Sequence, residues 1–143
     1  MDNWLRKYAL QSTASGSVTV FCLVNQSVQV KAFYALSMGH IQYKDATHRL
    51  AKGRGRYPIS VAFLTRLAVD QELQGRGLGT ALLKDAVIRT VLAASQIGCA
   101  AIAVHAISDE VINFYSQFGF ELSPGEPRLM MVRLKDIKKA MGI

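Results

Sequence analysis

Between Val69 and Ala86 the chain reads VDQELQGRGLGTALLKDA, with glycines at 75, 77 and 79 and Arg76 between the first two. A run of strand composition precedes it and a run of helical composition follows. If the strand ends at Val69–Asp70 and the helix begins near Leu78, backbone N–H groups of residues 75–80 can converge at the positive end of a helix dipole. That arrangement suits a pyrophosphate, and glycine lets the anion approach closely. Arg76 could add a charge. Two phosphate motifs are excluded. A P-loop ends in GK[ST], whereas this corner ends in LGTA, and the dinucleotide fingerprint G-x-G-x-x-G needs glycine at 80, where Thr80 stands. What remains is Q-x-x-G-x-G, formed by Gln74, Gly77 and Gly79, or an ordinary βα turn rich in glycine.

A second stretch bears charge. Residues 41–57, IQYKDATHRLAKGRGRY, carry Lys44, Arg49, Lys52, Arg54 and Arg56 against one acid, Asp45. The whole chain has 17 Lys+Arg against 10 Asp+Glu, a net charge of +7. A field of that sign favours nucleic acid, an acidic membrane or a polyphosphate cofactor, and it also serves plain solubility. His40, His48 and His105 are scattered, so no metal site is expected. Cys22 and Cys99 lack CxxC spacing and read as small core residues of two strands in a reducing compartment. MDNWLRKYALQ has no apolar core of a signal peptide. The longest apolar tract, AVIRTVLAASQIGCAAIAVHAI, contains Arg89, Gln96, Gly98 and His105, which a membrane span tolerates poorly. The expectation is a cytoplasmic protein without a membrane partner.

These stretches need a scaffold. The chain has 143 residues, half of them hydrophobic, which suffices for one domain spanning 1–143. DNWLRKYAL puts Trp4, Leu5, Tyr8 and Ala9 on one helical face. Residues 17–24 and 28–39 read as a hairpin turning at NQS. Residues 57–70 form a strand apolar on both faces, hence central. A helix over 79–97 offers Leu82, Leu83, Ala86, Val87 and Ile88 to the core, and 99–107 is another buried strand. Residues 108–118 form a helix capped by Ser108, with acids at 109 and 110, and stopped by Gly119. FELSP and RLMMVRL form a last hairpin, and the polar tail KDIKKAMGI is expected to fray. The central β-α-β demands a parallel pair, and the flanking hairpins are antiparallel. The expected fold is a mixed α/β sheet.

Two segments carry a family resemblance. RLAVDQELQGRGLGTALLKDA resembles the acetyl-CoA-binding segment of the GNAT family of N-acetyltransferases. FYSQFGF, residues 114–120, is similar to the family's later helix and turn, in which a tyrosine precedes a GF pair. Within that family, DNWLRKYAL, FYALSMG, PISVAFLTRLAVD, LLKDAVIRT and AVHAISDEVINFYSQFGF resemble the acetyltransferase toxins of bacterial toxin–antitoxin pairs. Those toxins acetylate the α-amino group of aminoacyl-tRNA and block translation, with a ribbon-helix-helix antitoxin as partner. The chain departs from the family by starting at the first helix, without the preceding strand. It also carries Ala32 where the branch often has glycine and Ser60 where it often has proline.

The resemblance implies a GNAT fold, acetyl-CoA as cosubstrate, aminoacyl-tRNA as acceptor, and a homodimer. It implies that the strand at Leu67, Ala68 and Val69 pairs with the pantetheine arm, and that the N–H of Ala68 or Val69 polarises the thioester carbonyl. Gln74, Gly75, Arg76, Gly77, Leu78, Gly79 and Thr80 would hold the pyrophosphate. Tyr115 is the candidate general acid, its phenol being protonated at neutral pH. The basic loop 41–57, extended by Arg66 and Arg89, would meet tRNA. No strong base stands out among Glu72, Asp85, Asp109 and Glu110, and His105 reads as structural. An α-amino group beside an ester carbonyl is already largely a free amine, so positioning matters more than deprotonation. The alternatives are a GNAT enzyme acting on small amines or protein lysines, and an inactive binder of CoA or antitoxin.

Overall fold

The computed structural model describes residues 16–27 and 29–142, so the helix expected at DNWLRKYAL lies outside the described residues. In chain order the elements are β1 (Thr19–Val24), β2 (Val30–Ile41), a 3-10 turn (Tyr43–Asp45), α1 (His48–Ala51), β3 (Ile59–Val69), a 3-10 turn (Gln71–Leu73), α2 (Leu78–Ala94), β4 (Ala101–His105), α3 (Asp109–Ser116), β5 (Glu121–Leu122), β6 (Leu129–Arg133) and α4 (Leu134–Met141). The strands form one six-stranded sheet in the order β1-β2-β3-β4-β6-β5. β1 and β2 are antiparallel, β3 and β4 are parallel, and β6 runs antiparallel to both β4 and β5. The expected mixed sheet, with a parallel β-α-β centre between antiparallel strands, is therefore present.

Local chemistry explains most boundaries. The first hairpin turns on Asn25, whose side-chain oxygen accepts from the N–H of Ser27 at 3.0 Å and of Gln29 at 2.9 Å. Ser108 caps α3 by accepting from Val111 N–H at 3.3 Å, and Gly119 turns the chain at φ +88°. α2 stops at Ala94, earlier than expected, because Ser95 Oγ donates to Leu92 O at 2.7 Å and tight-turn bonds close the end. The tail does not fray. It forms α4, anchored by buried Leu134 and by a two-pronged Arg133–Asp136 pair at 3.0 and 2.6 Å, and closed by Gly142 at φ +76°. Two expected core residues are exposed: Ile88 on α2, and Cys22 on β1, where burial declines along the outermost strand.

The described residues fall into two compact units, one within Met1–Ser37 and Leu64–Arg89, the other within Met38–Phe63 and Thr90–Ile143. In the first, Ala32 to Ala35 of β2 are buried, as are Leu64, Leu83 and Ala86. Buried Tyr34 donates its hydroxyl to Asp85 of α2. Arg89 Nε donates to the same carboxylate oxygen at 3.1 Å, and its guanidinium lies 4.1 Å above the Phe21 ring, which stacks on Tyr34 at 5.0 Å. Burial and the Asp85 hydrogen bond push the Tyr34 phenol well above its ordinary range, and the Tyr34 and Arg89 bonds hold Asp85 below its own. In the second unit one sheet face buries Ile41, Ala46, Leu50, Ile59, Val61, Ala101, Ala103, Leu129 and Met131.

A carboxylate whose pKa is lowered on folding stabilises the fold above the ordinary carboxylate range and loses that contribution as pH falls through its folded value. Tyr34→Phe removes the largest cause of the lowering. It is expected to cost about 1 kcal/mol at pH 7, a modest figure because Asp85 is half exposed. Urea melts of both proteins should show that gap narrowing between pH 5 and pH 3.

Candidate active site

The glycine corner is built from its own side chains. Asp70 N–H donates to Lys31 O at 2.8 Å as β3 ends, and Asp70 Oδ1 accepts from Glu72 N–H at 3.0 Å, starting the second 3-10 turn. Gln74 Nε2 then reaches back to Val69 O at 3.1 Å, tying the corner to the strand it leaves. Gly75 and Gly77 have φ of +81° and +77°, where side-chain-bearing residues are strained, and nothing lies within 4 Å of where a Cβ would stand on either. Ala81 N–H donates to Gly77 O at 3.0 Å. The N–H groups of Leu78, Gly79 and Thr80 precede that bond, as first-turn donors without an intrahelical acceptor. Open space, turned backbone and a helix N-terminus fit a pyrophosphate, and Arg76 is exposed beside them.

The adjoining strand offers a free backbone edge. The β3–β4 ladder holds only Val61↔Ala101, Ala62↔Ile102 and Phe63↔Ala103. Beyond it, Leu64–Val69 has no strand partner on the edge away from β2 among the described residues. Ser60 O accepts from Ala100 N–H on the β4 side, yet Asp70 N–H points to β2. One residue of β3 between them therefore falls out of the regular alternation. Both expected carbonyl donors, the N–H groups of Ala68 and Val69, lie within this unpartnered stretch.

Tyr115 lies on α3, in the second unit, whereas residues 67–80 lie in the first. Its ring is buried against Phe114 at 5.1 Å and Phe120 at 5.2 Å. Its hydroxyl makes no hydrogen bond among the described residues, and no fully buried side-chain oxygen there lacks a partner, so the oxygen retains solvent access. Burial pushes the phenol up to about 12, so it keeps its proton throughout the neutral and mildly alkaline range.

The basic residues divide into two sets. Lys44, Lys52 and Arg56 are exposed and in no ion pair among the described residues. Arg54 is exposed, with Nε donating to Leu50 O at 2.9 Å. Arg49, by contrast, pairs with Glu121 at 3.4 Å and Asp136 at 4.0 Å, and Arg89 is engaged by Asp85. Arg66 is exposed on β3 in the first unit. Lys52 and Arg54 line an open cavity of about 440 Å³ with Arg133, Lys135 and Lys138. The α4 lysines went unnoticed in the sequence because the tail carries no apolar period long enough to announce a helix.

Of the carboxylates weighed as bases, Asp85 is held by Tyr34 and Arg89, and Asp109 pairs with Arg128 at 3.4 Å. The sequence reading missed another, Glu126. Its Oε1 lies 3.2 Å from His105 Nε2, across a separation of 21 positions that no local motif bridges. The imidazole is half exposed and lies flat on Phe63, centroids 5.7 Å apart and planes 3° apart.

Residues 33–122 match the acetyltransferase (GNAT) domain. Over 142 residues the chain is 42% identical to a tRNA-acetylating toxin of Mycobacterium tuberculosis (strain ATCC 25618 / H37Rv), covering 99% of this chain and 84% of that protein. Among solved structures, AtaT complexed with acetyl-methionyl-tRNAfMet superposes with a TM-score of 0.89 at 21% identity, covering 96% of this chain and 84% of that one. A mutant AtaT toxin bound to the C-terminus of the antitoxin AtaR and acetyl-CoA gives 0.81 at 21% identity, covering 98% and 82%. With that match and that relative added to the glycine corner, the free strand edge and the tyrosine helix, the chain belongs to the GNAT family of acetyltransferases.

Proposed function

We propose that this protein is an acetyl-CoA-dependent N-acetyltransferase toxin that acetylates the α-amino group of aminoacyl-tRNA and so blocks translation. The observation that carries this reading is the likeness, along nearly the whole chain, to the mycobacterial tRNA-acetylating toxin. Residues 1–143 act as a single GNAT domain in the cytoplasm. The partners are charged tRNA, a ribbon-helix-helix antitoxin and a second copy of the chain.

Acetyl-CoA supplies an activated acetyl thioester. The N–H groups of residues 75–80, with Arg76, hold its pyrophosphate. Leu67, Ala68 and Val69 receive the pantetheine arm along their free edge as an added strand. The N–H of Ala68 or Val69 donates to the carbonyl oxygen as charge develops there. Tyr115 donates its phenolic proton to the departing sulfur. Lys44, Arg49, Lys52, Arg54, Arg56, Arg66 and Arg89 neutralise tRNA phosphates without reading bases, Arg49 and Arg89 from within exposed ion pairs.

Labelled acetyl-CoA incubated with charged tRNA and with a mixture of free amines tests the reading. Label is expected on charged tRNA, and label on amines alone would overturn it. Tyr115→Phe should lower kcat by about 100-fold or more, the range for loss of a general acid. Because the phenol titrates near 12, the wild-type rate should rise with pH through the acceptor amine's pKa and show no descending limb below about pH 11.

Gly75→Ala and Gly77→Ala meet no neighbour but force an alanine into a left-handed backbone. Each is expected to weaken acetyl-CoA binding about tenfold, read by calorimetry, as misaligned N–H groups lose charge-assisted hydrogen bonds. Lys52→Glu with Arg56→Glu should raise the KM for charged tRNA and flatten its salt dependence. The rate on an aminoacyl methyl ester, which has no phosphates, should be unchanged.

A further inference from the structure

Resting on the proposed acetyl transfer, we propose that His105, oriented by Glu126, is the base that takes the proton leaving the acceptor amine. An amine that becomes an amide loses one proton even when it arrives as the free base. In the mechanism above Tyr115 protonates the sulfur, and no group receives the proton from nitrogen.

His105 and Glu126 have the required arrangement. A carboxylate only accepts, so Glu126 Oε1, 3.2 Å away, selects the tautomer with hydrogen on Nε2 and leaves the Nδ1 lone pair available. Nδ1 makes no hydrogen bond among the described residues, and the side chain is 55% exposed. The ring plane is set by Phe63, and Phe63 is seated on Gly39, where a Cβ would come within 2.7 Å of the phenyl ring. A carboxylate behind a supported imidazole is the logic of nucleophile-activating triads, here applied to an amine.

The Glu126 side of the pair is built as firmly. The N–H groups of Gly125 and Glu126 donate to Ser123 Oγ at 3.1 and 2.9 Å, and that hydroxyl donates to Asp45 O at 2.6 Å. Arg128 adopts φ +62°, rare for a residue with a side chain, and its carbonyl accepts from Ala106 N–H at 2.8 Å, next to His105. The charged groups around the pair are Glu126 itself, Arg128 with its partner Asp109 of α3, and Asp45, against which Gly125 packs. An exposed ion pair by itself adds little stability, so stability alone does not account for a loop held in a strained shape to present one.

In the step, the N–C bond forms and the C–S bond breaks. One proton passes from the amine nitrogen to His105 Nδ1 and one from the Tyr115 phenol to sulfur. His105 then releases its proton to water and the phenolate recovers one, leaving amide and thiol.

Acetylation of charged tRNA and of an aminoacyl methyl ester is measured for wild type, His105→Ala, His105→Gln and Glu126→Gln, with thermal melting as the control for folding. His105→Ala and His105→Gln should lose about 100-fold in kcat with little change in KM for acetyl-CoA, and Glu126→Gln about tenfold. Added imidazole should restore about tenfold to His105→Ala and nothing to Tyr115→Phe. Folded His105 variants that keep kcat within about twofold of wild type, or an Ala variant whose lost rate imidazole fails to restore, overturn the assignment. The ester separates the two readings: activity on it without activity on charged tRNA defeats the tRNA reading and leaves the base measurable.

Discussion

The parallel ladder between β3 and β4 ends at its third pair, Phe63 and Ala103, and leaves Leu64–Val69 without a strand partner on that side among the described residues. Backbone N–H and C=O groups are obligatory hydrogen-bonding groups, and a strand that leaves its neighbour exposes a row of them. In most proteins such an edge invites aggregation. In a GNAT acetyltransferase it is useful because the donor carries a long amide-bearing arm that adds as a strand. Gly75 and Gly77 then lie a few residues beyond the strand end, where the same chain turns into the N-terminus of α2. In the proposed function, arm and pyrophosphate are met by consecutive residues of one segment.

Elements written in local code were legible in the sequence. Ser108 and Gly119 bracket α3 as their chemistry requires, and the β-α-β order implies the parallel pair. The turn at Asn25 is likewise local. What was not legible depends on contacts distant in sequence. His105 looks like one polar residue on a buried strand until β6 brings Glu126 to it. Arg49 and Arg89 look like free cations until Glu121, Asp136 and Asp85 engage them. The last helix was misread for a different reason. Its stability comes from one buried leucine, one ion pair with the residue before it and a glycine stop, not from a long apolar stripe.

The charges show the same division. A net charge of +7 indicates affinity for anions but does not identify the groups that meet them. Arg133 and Arg49 converge on Asp136, so part of the positive charge is already neutralised within the fold. Lys52 and Arg54 of the loop share one open cavity with Lys135 and Lys138, a grouping of cations that the sequence order does not announce.

Gln74 and Asp70 hold the glycine corner in shape through bonds internal to the chain. A receptor shaped in advance loses little conformational entropy when its ligand arrives, because that ordering was already completed in folding. Donor capture should therefore carry the thermodynamic signature of docking rather than of coupled folding, with a small heat-capacity change set by the contact area alone. A partner that reshaped this corner would have to break those internal bonds first, so steric cover is the less costly way to block it.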